Sequence, residues 1–256
     1  MALYGGFKKG SPPPFHLKHT QDTAPLFLYD RKLLSYLSRC AWKALKEFYQ
    51  ALVNKDESVP GAAIAIQTFS DFLGFNPHTH ILISDGCFYG EGTFKAAPKF
   101  HLKDLEPLFQ HKVLKMLLKR GKITKDLISL LLSWRHSGFN VFCGKRKYPG
   151  DETAMENLAR YIIRASFSQE RMNYLRDESK VVYQSKDAKQ KKVFYTLEWL
   201  AAMCSHVPNW GEQMVRYYGY YRNVSRGKRK KEEQDEIISC IIEEDGISHE
   251  QRKAWA

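Results

Sequence analysis

Two histidines separated by a single residue, His78 and His80, lie in a run of strand-forming residues that continues through Ile83. Side chains alternate between the two faces of a β-strand, so both imidazoles are expected on one face. Two aligned imidazoles can hold a divalent metal ion. Nine histidines in this chain give roughly 0.3 such spacings by chance, so the spacing alone does not establish a metal site.

A tyrosine further along the chain supplies the second chemical group. Tyr161 lies in a helix that the sequence predicts from a capping residue, Asp151, to about Ala165. A phenolate oxygen can attack the phosphorus of a DNA strand and stay attached to it. Because the free pKa of tyrosine is about 10, attack at neutral pH needs a cation that polarises the phosphate. The sequence therefore predicts Tyr161 as nucleophile, with His78 and His80 holding the cation.

Two histidines leave the coordination of Mg²⁺ or Mn²⁺ incomplete, because these ions prefer oxygen donors in octahedral geometry. Asn157 is the first candidate for a third ligand, since it lies one helical turn before Tyr161 and projects from the same side. The other candidates that the sequence leaves open are Glu156, His136 and Gln169.

Five further residues are predicted to contact DNA. Arg160 and Arg164 flank the tyrosine, where their charges can hold phosphates, although an ordinary solvated basic face is an equal alternative. Arg216, Tyr217 and Tyr218 belong to a stretch of alternating aromatic and basic residues, a pattern typical of single-strand binding surfaces. The alternative there is a tyrosine-rich strand or helix that packs on the core.

The composition favours a nucleic-acid partner within the cell. Forty basic against 28 acidic residues give a net charge of +12, which attracts polyanions. The five cysteines are far apart, which predicts reduced thiols rather than a zinc clip. The sequence contains no apolar run long enough to span a membrane and no secretory signal pattern, so a soluble, cytoplasmic protein is expected.

The sequence divides into a loose segment at 1–25, a catalytic domain at 26–222 and a charged, mobile tail at 223–256. Within the domain, the patterns predict an α+β fold: a central, mainly antiparallel sheet carries the histidine pair, and helices pack on it. Strands at 61–70 and 78–84 are expected to be antiparallel neighbours. The other predicted elements are helices at 30–52, 104–120, 124–134 and 197–206, a strand at 139–143, and a hairpin at 181–184 and 193–196.

Three motifs, in this order and spacing, resemble those of the HUH-type transposases: 78–86 (HTHILISDG), 134–139 (WRHSGF) and 156–162 (ENLARYI). More narrowly, the chain from about Leu26 through Arg229 is similar to the rolling-circle transposases of bacterial insertion sequences that lack terminal inverted repeats. The resemblance implies that His78 and His80 bind a divalent metal ion, and that Tyr161 cleaves single-stranded DNA and forms a 5′-phosphotyrosine link. Two-tyrosine relatives carry a second tyrosine one turn away, but Asn157 and Ala165 occupy those positions here, so the resemblance is to the single-tyrosine branch.

Full-length relatives carry a cysteine-rich zinc-binding region and a first sheet strand before the part that this chain resembles. The chain is therefore expected to have a shortened or replaced amino-terminal part with one sheet edge exposed. The alternative function is an inactive, nucleic-acid-binding remnant of such a transposase. A metal-dependent hydrolase is a weaker alternative.

Overall fold

The computed structural model describes residues 14–18, 23–90, 93–101, 104–135, 138–144, 152–162, 164–231 and 241–242. The helices are α1 (Ala24–Tyr29), α2 (Lys32–Val53), α3 (Leu105–Lys119), α4 (Lys125–Ser133), α5 (Glu152–Ile162), α6 (Thr196–His206) and α7 (Asn223–Lys231). The strands are β1 (Pro14–Lys18), β2 (Gly61–Phe69), β3 (Phe75–Ile83), β4 (Gly86–Tyr89), β5 (Thr93–Ala96), β6 (Asn140–Cys143), β7 (Met172–Leu175), β8 (Lys180–Gln184), β9 (Lys191–Tyr195), β10 (Val215–Gly219) and β11 (Ile241–Ile242).

The predicted α+β fold is confirmed. Five strands form the central sheet in the order β10-β2-β3-β1-β6, and each neighbouring pair is antiparallel. The histidine strand, β3, lies in the middle of this sheet. The predicted pairing of the strands at 61–70 and 78–84 is confirmed as β2 and β3.

Strand β1 corrects one expectation from the sequence. Pro14–Lys18 belongs to the segment that was expected to be loose, yet its backbone pairs with β3 on one side and with β6 on the other. The histidine strand therefore has a hydrogen-bonded neighbour on both sides. The other residues of 1–22 lie outside the described part of the chain.

One face of the central sheet is buried against α2. The predicted helix at 30–52 is observed as Lys32–Val53, and its apolar stripe packs on the isoleucines of β2 and β3. Those isoleucines are at most 4% exposed: Ile64, Ile66, Ile81 and Ile83. Helix α3 packs on α2 behind the sheet and completes this core. Along β3, the side chains of successive residues point to opposite faces, and His78 and His80 are out of phase with Ile81 and Ile83. Burial of the isoleucines against α2 therefore places the histidines on the opposite face of the sheet.

A second, smaller core lies beside the end of β2. Strands β7, β8 and β9 form an antiparallel sheet, which includes the predicted hairpin, and α6 covers it through Trp199. The loop between β2 and β3 places Phe72 and Leu73 against this core, and both residues have positive φ, 55° and 56°. Non-glycine residues adopt this backbone conformation at a cost, so packing in the second core must stabilise it.

Two other boundaries differ from expectation. Helix α5 ends at Ile162, before the predicted end at about Ala165. Part of the tail expected to be mobile forms α7, and the two residues of β11 pair in parallel with β5. Of the described helices, none is both long and apolar enough to cross a membrane.

His206, at the end of α6, connects the second core to the central sheet. Its Nε2 donates to the carbonyl oxygen of Leu73 at 3.0 Å, and its Nδ1 accepts from the Thr68 hydroxyl at 3.0 Å. The ring is stacked on Phe75, the first residue of β3. Burial lowers the pKa of His206, against a smaller opposing effect of the hydrogen bond to Leu73.

Because the pKa of His206 is lower in the folded than in the unfolded protein, acidification is expected to destabilise the fold through this residue. The free energy of unfolding should fall as the pH drops through the ordinary histidine range, near 6.5, towards the lowered value. Urea titrations of the wild type and of His206→Gln at pH 7.5 and 5.5 measure this effect, and the variant should lose less stability between them. A variant at exposed His101, His101→Gln, should keep the wild-type difference, and an equal pH dependence in His206→Gln would contradict the assignment.

Candidate metal centre and DNA-contact residues

The two histidines of β3 face each other. The Nε2 atoms of His78 and His80 are 3.1 Å apart, and their ring centroids are 4.8 Å apart. Both residues are buried, at 5% and 2% exposed. The sequence predicted that the imidazoles share one face of the strand, and this arrangement agrees with that prediction.

The backbone next to His78 selects the protonation of its ring. Nδ1 lies 2.8 Å from the carbonyl oxygen of Asn76, which can only accept a hydrogen bond, so Nδ1 carries the proton. In the neutral ring, this leaves a lone pair on Nε2, the atom that points at His80. Metal-binding histidines commonly use such a carbonyl to fix the ring and its tautomer.

Gln67 of β2 brings an oxygen donor to the same place. In the register of β2 and β3, Gln67 pairs with His78 and Ala65 pairs with His80, so all four side chains lie on one sheet face. The Oε1 atom of Gln67 is 2.9 Å from Nε2 of His80, and Gln67 is 4% exposed. The sequence analysis missed this residue. The sequence feature that could have identified Gln67 is a polar side chain in β2 that points to the face opposite that of Ile64 and Ile66.

The separations of His80 Nε2 from the other two donor atoms match those between neighbouring ligands of one divalent ion. Two ligands at right angles on an octahedral ion, each about 2.1 to 2.2 Å away, lie about 3.0 Å apart. The separations of 3.1 Å and 2.9 Å are close to this value. The donor set of two imidazoles and an amide oxygen suits Mn²⁺, and Mg²⁺ would complete its shell with water or phosphate oxygens.

The ligands proposed from sequence lie elsewhere or outside the described residues. Asn157 is an exposed residue of α5, and Glu156 forms an ion pair with Arg160, with 2.6 Å between carboxylate and guanidinium. Gln169 is exposed in a short 3₁₀ turn, and His136 is outside the described part of the chain. Across the described residues, no group of three or more His, Cys, Asp or Glu side chains is arranged to hold a metal ion.

Cys40 and Cys87 are buried thiols. Burial raises the pKa of Cys40 and of Cys87 to about 11, so both remain protonated thiols at neutral pH. This agrees with the reduced thiols expected from the sequence.

Tyr161 lies in α5 by its backbone, and its side chain is outside the described atoms. The chain leaving this helix passes the end of β2, where the guanidinium of Arg164 lies 5.5 Å from the ring centre of Phe69. Phe69 is two residues beyond Gln67 on the same strand. Arg164, two residues after the end of the tyrosine helix, is thus close in space to the strand that carries Gln67.

A pocket of about 230 Å³ opens at this helix exit. Its lining combines aromatic rings with three cations and one carboxylate: Phe69, Phe72, Phe167, Tyr183, Arg164, Arg171, Lys186 and Asp71. Arg160 does not line it, because its guanidinium is paired with Glu156 on the exposed side of α5.

The three predicted contacts on β10 divide between the two faces of the sheet. Tyr217 pairs with Ala63 and therefore shares the face of the histidines. Tyr218 and Arg216 face α2: the ring of Tyr218 is stacked on Trp42 with centroids 5.4 Å apart, and its hydroxyl lies 2.8 Å from that of Ser38. Tyr218 therefore has a packing role, which was the alternative interpretation of this segment.

The chain matches the model of a protein family described as "Putative transposase" over residues 61–229, about two thirds of its length. The matched region contains the histidine pair, the tyrosine helix and β10. The chain therefore belongs to this transposase family, whose members are enzymes that move DNA segments. The comparisons with curated proteins and with solved structures gave no match.

The two tyrosines should respond differently to truncation. Tyr218→Ala should lower the free energy of unfolding by about 3 kcal/mol, because it removes a ring packed between the sheet and α2. Tyr217→Ala should cost less than about 1 kcal/mol, since that ring lies on the face of the sheet away from α2. Chemical denaturation measures both, and Tyr218→Phe, which loses only the Ser38 contact, should cost about 1 kcal/mol. Equal losses for the two alanine variants would refute the division between faces.

Proposed function

We propose that this transposase cleaves and rejoins single-stranded DNA by a metal-dependent, HUH-type mechanism with Tyr161 as its single nucleophile. The observation that carries the proposal is that His80 Nε2 lies within ligand-to-ligand distance of both His78 Nε2 and Gln67 Oε1 on one face of the sheet. The family membership supports DNA as the substrate.

His78, His80 and Gln67 would hold the ion, and Asn157 is not needed as a ligand. When bound, the ion supplies positive charge that polarises the scissile phosphate and orients the leaving 3′-oxygen. The protein fixes the donor set in advance, because Asn76 holds the tautomer of His78 and the β2–β3 register holds Gln67.

Tyr161 would attack the phosphorus through its phenol oxygen. The new bond joins this oxygen to the 5′-phosphate, the bond from phosphorus to the 3′-oxygen breaks, and the proton lost by the phenol balances the one gained by the 3′-hydroxyl. Attack by another 3′-hydroxyl reverses the sequence and rejoins DNA, so the reaction needs no external energy source. Arg164, beside the helix exit, is suited to bind the phosphate next to the scissile one.

The DNA would come from the ends of the mobile element and from its target, in the bacterial cytoplasm. Arg160, Arg216 and Tyr217 remain proposed DNA contacts, and Tyr218 contributes mainly by holding β10 in place. With one nucleophile, the strand transfers would occur one after another. The competing possibility, an inactive remnant, would bind DNA without forming a covalent product.

A suicide-cleavage assay tests the nucleophile. A 5′-labelled or 3′-labelled single-stranded oligonucleotide containing the element end, incubated with Mn²⁺, should yield a covalent protein adduct that carries only the 3′-side label. Tyr161→Phe should abolish the adduct, because a phenyl ring has no oxygen to attack phosphorus. Tyr174→Phe, at an exposed tyrosine of β7, is the matched control and should form the adduct normally. A mobility shift without any adduct in the wild type would favour the remnant.

The metal centre is tested by binding rather than by activity. Calorimetric titration with Mn²⁺ should give one site per chain, lost in His78→Ala and in His80→Ala. Gln67→Ala should weaken the affinity by about 10-fold to 100-fold, as expected for loss of one supporting ligand. Asn157→Ala should leave the affinity unchanged. If Asn157→Ala weakened Mn²⁺ binding and Gln67→Ala did not, the third ligand would be Asn157 of α5.

A further inference from the structure

A groove runs along the β10 edge of the central sheet, where it is lined by Arg216 and Tyr218 from the isoleucine face and by Tyr217 from the histidine face. It encloses about 1100 Å³ between α2, β4, β10 and the first turn of α7. We call it the β10 groove and define it by six of its lining residues: Arg39, Trp42, Lys46, Phe88, Arg216 and Tyr220. Arg216 pairs with Ile64, a residue of the buried isoleucine face, and therefore lies on the side of the sheet away from the histidines.

Within the described part of the chain, the lining of the groove has an excess of positive charge. Four cations line it, the three in its definition and Arg222, against a single carboxylate, Glu57. None of the four cations forms an ion pair with another described residue. The Nε atom of Arg216 is buried and, in the described part of the chain, has no hydrogen-bond partner. A buried guanidinium donor without an acceptor is costly, and a phosphate oxygen from a ligand would satisfy it.

Aromatic rings in fixed positions lie between these charges. Phe88 is stacked on Tyr220 with centroids 3.7 Å apart and planes 8° from parallel, and Trp42 is stacked on Tyr218. The backbone turns back at Gly219, where φ is +58° and a Cβ would collide with the carbonyl of Pro60 and with Trp42. This turn brings Tyr220 onto Phe88. The rings are therefore held before any ligand binds, which reduces the entropy lost on binding.

We propose that the β10 groove is a second binding site for single-stranded DNA, outside the site of cleavage. The proposal rests on the proposed function for its substrate. Rings that accept bases and cations that follow the backbone are the combination found at single-strand sites. A duplex keeps its base faces stacked inside, so the half-buried rings of a groove cannot reach them.

The edge strand connects this groove to the metal centre. Arg216 and Tyr217 are consecutive residues whose side chains lie on opposite faces of the sheet. A strand bound in the groove can therefore pass around the β10 edge towards the histidine face. The groove would hold DNA next to the segment that is cut, which raises the local concentration of the scissile phosphate.

The test separates the groove from catalysis. The double variant Arg39→Gln/Lys46→Gln removes two groove cations that the cleavage mechanism does not use. Its matched control, Lys115→Gln/Lys119→Gln, removes the same charge from the exposed side of α3. Fluorescence anisotropy with a labelled oligonucleotide of about 25 nucleotides should show about 10-fold weaker binding for the groove variant at 0.1 M salt. The slope of log affinity against log salt should fall by about 1.4, that is, about 0.7 for each lost phosphate contact.

A short oligonucleotide that spans only the scissile site, at saturating concentration, should form the Tyr161 adduct equally well with the groove variant and the wild type. The proposal would be overturned if the α3 control bound the oligonucleotide as weakly as the groove variant does. It would also be overturned if the groove variant lost as much affinity for duplex DNA as for single-stranded DNA. Tyr161→Phe should lose the adduct and keep groove binding. If the wild type forms no adduct, the cleavage mechanism fails while the binding comparison still decides the groove.

Discussion

The candidate site depends on the register between β2 and β3. Because Gln67 pairs with His78 and Ala65 with His80, the amide and both imidazoles meet on one face, while Ile64 and Ile81 meet on the other. A shift of this pairing by one residue would turn Gln67 to the isoleucine face and separate the three donors. Burial of the isoleucines against α2 penalises such a shift, so the hydrophobic core fixes the geometry of the polar site.

The loop that joins the two strands is held from outside the central sheet. Phe72 and Leu73 keep left-handed backbone conformations, and their side chains contact the second core, formed by β7–β9 and α6. His206 binds the carbonyl of Leu73 and is stacked on Phe75, directly where the histidine strand begins. The smaller core therefore stabilises the turn that sets the phase of β3. Its residues therefore help to position the histidine pair without contacting it.

Periodicity predicted much of the fold, because long amphipathic patterns report burial directly. The helix at 30–52 and the facing pair of imidazoles follow from repeats of 3.6 and 2 residues. Gln67 could not be assigned in this way, since its neighbour across the strands depends on the loop at 70–74 and on an irregularity between Gln67 and Phe69. Tyr218 shows the same limit: its face depends on the pairing of β10 with β2, which no local pattern encodes.

The position of β1 has a consequence for how the transposase region can be delimited. The family match spans residues 61–229. Two elements that precede this range belong to the same fold: β1 (Pro14–Lys18) lies between β3 and β6 in the central sheet, and α2 covers the isoleucine face of that sheet. A fragment cut at the matched boundaries would keep both histidines and the tyrosine helix but expose bare apolar surface and leave β6 unattached. The segment that the family model covers is therefore smaller than the unit that folds.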